Sequence, residues 1–260
     1  MSLNYALVLT EGPHDQAFVG KLLGLCGLRD FGGKLVQLDP FWRPLIPIYP
    51  RRGDLYARLN MPSIYISATH SVAVYHVEGK DNVLEQVGAL MASSPGYLNR
   101  LTAWGLIVDA DLRRPEDVAR IYADKLRFFF PALSGCPGAV DPGRPRTGIY
   151  VLPDNLSQGT LDSLLLECAA IIYPRHKQAV EQFLTSMAEH EDHPSLIPPS
   201  ALEKALVASI VSILRPGSSN TTSIALDNWV CERSVQEVPG VARLKQFLEQ
   251  LLEIPLPARL

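Results

Sequence analysis

Four apolar runs of strand length stop on acidic or turn residues, and each is followed by a helical pattern. Tyr5-Ala-Leu-Val-Leu9 leads into Thr10-Glu11-Gly12-Pro13-His14-Asp15, and Ala73-Val-Tyr-His-Val77 leads into Glu78-Gly79-Lys80-Asp81. Trp104-Gly-Leu-Ile-Val108 ends in Asp109-Ala110-Asp111, and Ile149-Tyr-Val-Leu152 ends in Pro153-Asp154-Asn155. Between them, 14–27, 81–92, 115–128 and 160–170 carry helical patterns. The first has an apolar stripe at Ala17, Phe18, Leu22, Leu23 and Leu25, a stop at Gly27, and Pro13 at a position where its missing N–H costs nothing. Strands alternating with helices imply an α/β fold, a mainly parallel sheet flanked by helices. Such sheets place their sites beyond the carboxyl ends of the strands. That is where Glu11, Glu78, Asp109, Asp111 and Asp154 fall.

The rest of the chain divides in two. Residues 31–71 hold prolines 40, 44, 47, 50 and 62 and read as a long irregular surface insertion, with short strands at Val36 and Ile64-Tyr-Ile66. Residues 134–147 read as a Gly/Pro-rich loop. From about 175 onward the pattern is helical, at 175–190, 200–214, 221–231 and 240–252, broken around His193-Pro194, Pro198-Pro199 and Pro216-Gly217. The organisation expected is an α/β domain over 1–172 and a helical C-terminal extension over 173–260.

Composition narrows the class of function. In 260 residues, 47% hydrophobic and 20% charged content suffices for an ordinary core. A net charge of -3 argues against a basic nucleic-acid coat but leaves room for a local basic groove. No apolar run approaches the ~18 residues that span a bilayer, and the N-terminal residues lack a signal pattern. The four cysteines, Cys26, Cys136, Cys168 and Cys231, are too scattered for a zinc or redox pair. A reducing, cytoplasmic setting fits them best.

Asp109 and Asp111 lie two apart on what reads as extended chain, so their side chains are expected on one side, with small Ala110 between them. Two hard oxygen ligands at that spacing suit Mg²⁺ or Mn²⁺. Glu11 falls at the same sheet edge if its strand neighbours theirs. Gly12 permits close approach of a ligand, and Asp15 lies in the first helical turn. The competing reading makes these carboxylates helix caps, stabilising but inert. Glu78-Gly79-Lys80-Asp81 has the same grammar, and Lys80 can meet a phosphate. The histidines show no zinc-ligand spacing; His14 stands next to the candidate site.

The ordered set Leu9-Thr-Glu11-Gly12-x-x-Asp15, then Leu106-Ile-Val-Asp109-Ala-Asp111, resembles a TOPRIM domain. Tyr150-Val-Leu-Pro-Asp-Asn155 followed by Gly159-Thr-Leu-Asp162-Ser-Leu-Leu-Leu-Glu167 adds to it, so the likeness covers about 3–172. It points to uncharacterised TOPRIM-like bacterial proteins allied to the overcoming-lysogenization-defect nucleases. Position 162 is Asp where that family often has Glu. The resemblance implies Glu11 as metal ligand or general acid/base, Asp109 and Asp111 holding Mg²⁺ (or Mn²⁺), and Asp15, Asp162 and Glu167 in support. It implies phosphodiester chemistry, a nuclease on DNA or RNA, with a non-catalytic nucleic-acid or nucleotide-binding module as the alternative. No Walker A sequence is present, so an ATPase would come from a partner protein. Phosphate contacts are expected from Gly12, Lys80, Arg113 and Arg114, with Arg51-Arg52 and Arg144/Arg146 as further basic pairs. Trp42, Tyr49 and Tyr56 can stack on bases or pack the insertion onto its own domain.

Overall fold

A computed structural model describes residues 3–49, 55, 59–77, 79, 82–93, 96–188 and 199–254. Seven strands form one sheet in the order β2-β3-β4-β1-β5-β7-β6. They are β1 (Asn4–Thr10), β2 (Arg29–Asp30), β3 (Ser63–Ile66), β4 (His70–His76), β5 (Ala103–Asp109), β6 (Val140–Asp141) and β7 (Arg146–Leu152). The central four, β4, β1, β5 and β7, are parallel. The edges turn antiparallel, β2 and β3 on one side and β6 on the other. Helices α1 (Pro13–Leu25), α2 (Asn82–Ser93) and α3 (Pro115–Leu126) provide the early crossovers. Then follow α4 (Leu161–Ile172), α5 (Pro174–Ala188), α6 (Pro199–Leu214), α7 (Asn220–Leu226), α8 (Glu232–Glu237) and α9 (Pro239–Leu252).

The middles of the central strands are apolar because both faces are covered. Alternate residues of β1 go to opposite cores. Ala6 and Val8 pack with α1, α4, α6 and α9, whereas Leu7 and Leu9 pack with α2 and α3. The C-terminal helices therefore lie directly on the sheet. Val241, Leu244, Phe247, Leu248 and Leu251 give α9 a buried stripe at helical spacing. Its entry and exit are fixed by hydrogen bonds. Tyr150 Oη donates to Gly240 O (3.1 Å), and Arg146 Nε donates to Leu251 O (2.8 Å). A ring nitrogen of His70, Nε2, lies 2.8 Å from Leu252 O.

Several boundaries differ from the sequence expectation. The stretch at Val36 is a 3₁₀ turn (Leu35–Gln37), not a strand, and Val36 is exposed. The 31–71 insertion is not wholly superficial. A second 3₁₀ segment (Pro40–Leu45) buries Phe41, Trp42 and Leu45 against the α2/α3 side of the sheet. Phe41 stacks on Tyr5 and Tyr97, and Trp42 Nε1 donates to Ser71 Oγ at 2.8 Å. Trp42 thus packs the insertion onto its own domain. Tyr49 is exposed, while Tyr56 and Arg51-Arg52 lie outside the described residues. The 134–147 loop contains the edge strand β6. The expected helix at 221–231 stops at Leu226, where Asp227 turns extended, and a separate short helix, α8, follows it. No helix among the described residues is long and apolar enough to cross a membrane.

Candidate functional site

The carboxyl ends of β4, β1 and β5 lie side by side, and the turns after them are laced together. Gly79 N donates to Glu11 O (3.1 Å) and Val77 N to Thr10 O (3.0 Å), so the two Glu-Gly turns are neighbours. Glu78, Lys80 and Asp81 lie outside the described residues. On the other side, Glu11 Oε1 accepts from Asp109 N at 3.0 Å, joining the first carboxylate to the end of β5.

Asp109 reaches onward. Its Oδ1 accepts from Leu161 N, the first residue of α4, at 2.9 Å, which docks that helix N-terminus at the strand end. Asp15, at the start of α1, turns back so that Oδ2 accepts from Gly12 N at 2.8 Å. Four carboxylates from β1, α1, β5 and α4 therefore share one region. Burial pushes the Asp15 carboxyl well above its ordinary range, and the charges of Asp109, Glu11 and Asp162 push it further against the Gly12 hydrogen bond. Asp162 is also raised, chiefly by burial, with His14 and Lys204 opposing the rise. His14 is lowered, first by burial and then by Lys204, while Asp162 pulls the other way.

Asp111 lies beyond the end of the strand. The strand ends at Asp109, and Asp111 adopts φ 51°, so strand alternation does not carry its side chain to the side of Asp109. Its backbone instead pairs with Gly159 in both directions, at 2.8 and 2.9 Å. Asp111 is exposed and is not among the charges acting on Asp15.

The remaining candidates separate clearly. Arg113 is exposed in the turn after Asp111, and Arg114 precedes α3 with Glu116 3.7 Å away. Arg146 is structural, tied to Leu251 O and Glu253. Asp154 pairs with Arg243 at 2.9 Å and accepts from Leu156 N and Ser157 N, so it braces the turn after β7. Glu167 is raised by burial and by Asp154, one helix turn beyond the cluster's edge.

Two features of the site carry no local sequence signal. Gln16 clamps the edge, with Nε2 donating to Met61 O and Ser63 Oγ and Oε1 accepting from His76 N. On α6, Glu203 Oε2 accepts from Ser163 Oγ at 2.6 Å, which brings Lys204 beside Asp162 and His14. Glu203 and Lys204 come from the helical C-terminal stretch, far beyond the last strand-end motif.

The donors at this edge are carboxylate oxygens, the chemistry a hard divalent cation prefers. Among the described residues, however, no three His, Cys, Asp or Glu side chains already stand in a metal-holding group. Glu11, Asp15 and Asp109 each direct one oxygen at a backbone N–H.

A family described as "Protein of unknown function (DUF3226)" matches residues 5–253. The chain belongs to this family. The DUF3226 match runs through β1 to α9, so the C-terminal helices that cover the sheet are part of what the family shares. No curated protein matches the chain. Among solved structures, it is similar to the crystal structure of hypothetical protein PH0156 from Pyrococcus horikoshii OT3. The TM-score is 0.51 at 17% identity, covering 96% of this chain and 95% of that one. That likeness is one of fold.

Proposed function

We propose that this DUF3226 protein carries out Mg²⁺-dependent phosphodiester chemistry of the TOPRIM type, acting as a nuclease on DNA or RNA at the carboxyl edge of β1 and β5. The observation that supports this most is the convergence of Asp15 with Asp109, Glu11 and Asp162, which leaves a buried carboxyl among like charges. Such a cluster is relieved by a proton or a cation. Glu11, Asp15 and Asp109 would hold Mg²⁺, with Asp162 in support and Asp111 as a further candidate ligand. A bound Mg²⁺ supplies neutralisation of charge on the phosphate and a more acidic water. Glu11, its carboxylate oriented by the Asp109 N–H, takes or gives the proton of the attacking or leaving oxygen. The exposed Arg113 and Arg114 flank the edge.

A second reading is favoured by the hydrogen bonds themselves. Asp109 secures the N-terminus of α4 and Asp15 that of α1, so the carboxylates also serve as caps in a module that binds nucleic acid or a nucleotide without cleaving it. Oligonucleotide and plasmid cleavage in Mg²⁺ or Mn²⁺ separates the two. The nuclease reading expects activity in the wild type and its loss in Glu11→Gln and Asp109→Asn variants that still melt cooperatively. Metal-dependent binding without cleavage supports the module. Asp111→Ala reports whether that exposed residue takes part.

A further inference from the structure

The β/α edge is acidic, whereas a polynucleotide brings more negative charge to it. Beside the proposed Mg²⁺ and the exposed Arg113 and Arg114, the C-terminal helices offer a further cation. Glu203 is fixed to the start of α4 by the Ser163 hydroxyl at 2.6 Å, one residue from Asp162. The adjacent Lys204 is exposed, and its charge reaches both Asp162 and His14. Several other basic side chains of these helices are committed. Arg215 is paired with Asp227, Arg243 with Asp154 and Lys245 with Glu249. Among the described residues Lys204 has no such ion pair.

We infer that Lys204 is a phosphate contact of the carboxyl-edge site, so that α6 completes the binding surface the sheet begins. This rests on the proposed reading of that edge as a polynucleotide site. A lysine meets phosphate as a mobile point charge, which suits a sequence-independent backbone contact. The Ser163–Glu203 hydrogen bond ties α6 to α4 beside Asp162, and so places the backbone from which Lys204 extends.

The test is fluorescence anisotropy with a labelled single-stranded oligonucleotide, in Ca²⁺ to hold binding without turnover, across a range of NaCl concentrations. Wild type, Lys204→Ala, Lys204→Arg and, as a control for general charge, Lys177→Ala are compared. Loss of one phosphate contact weakens Lys204→Ala by about tenfold and makes its log–log salt slope shallower by about 0.7. Lys204→Arg stays near wild type, as does Lys177→Ala, whose lysine pairs with Glu181 on α5. Equal affinity and slope for Lys204→Ala and wild type overturn the inference alone. So does an equal loss in Lys177→Ala. A wild type that binds no oligonucleotide overturns the polynucleotide reading of the edge and the inference with it.

Discussion

Replacing Gly148 with alanine tests whether α9 is seated on the sheet as described. Gly148 lies in β7, paired with Gly105 of β5 on one side and Val140 of β6 on the other. A Cβ there would stand 2.8 Å from Ala139 O and 2.8 Å from Phe247 Cε2, against the 3.4 Å at which ordinary contact begins. One obstacle is backbone and the other is a buried aromatic ring of α9, so neither gives way freely. Overpacking of this kind costs about 1–3 kcal/mol. For a chain of this size each kcal/mol lowers the melting temperature by roughly 2–4 °C, so a fall of about 2–12 °C is expected. Gly24→Ala is the matched control. It lies on α1 with nothing within 4 Å of an added Cβ, and alanine should stabilise the helix there by about 0.5–1 kcal/mol. Differential scanning fluorimetry and urea denaturation read both variants. A Gly148→Ala protein that melts at or above the wild-type temperature would refute the seating of Phe247 over β7. Partial recovery in Gly148→Ala/Phe247→Leu would locate the strain at that ring.

Three further outcomes follow from buried groups. Asp15 has a folded-state pKa above its unfolded value, so its contribution is intact below the unfolded pKa and is lost as pH rises through the folded one. In EDTA, stability should decline with rising pH across that window, and Asp15→Asn should flatten the decline; an unchanged profile would contradict it. Asp227 is shifted down, first by its hydrogen bond from Arg215, so its stabilisation is present above the unfolded pKa and lost as pH falls. Asp227→Asn should blunt the acid limb of the same urea-melt series. Burial pushes the Cys168 thiol up to about 12 and Cys26 to about 11, whereas Cys136 is exposed. A thiol reagent on the native protein should label Cys136 first and Cys168 only on unfolding, as read by peptide mass mapping.

The sheet was legible because the parallel strands are buried on both faces and are apolar through their middles, as in Leu7–Leu9 and Leu106–Val108. Their carboxylate ends were equally plain. What local pattern cannot carry is tertiary choice. Phe41, Trp42 and Leu45 sit in a proline-punctuated 3₁₀ stretch without strand or helix periodicity, and only the sheet against which they pack makes them core. The two-residue strands β2 and β6 are defined by pairing, not by composition. Glu11, Asp15 and Asp109 could be placed together from strand order. At Asp111 the chain leaves the extended conformation, so spacing by two does not by itself fix the side its carboxylate takes. Lys204 is an ordinary exposed helix residue in sequence, and gains its place from a hydrogen bond between Ser163 and Glu203.

The carboxylates at the ends of β1 and β5 are proposed to hold a divalent cation. Isothermal titration of Mn²⁺ into the metal-free protein, with Glu11→Gln, Asp15→Asn and Asp109→Asn alongside, reads this without recourse to activity. Saturable binding is expected of the wild type, with loss or marked weakening in all three variants, each still folded by thermal melt. Binding that is absent in the wild type, or equally tight in the variants, would contradict the proposal.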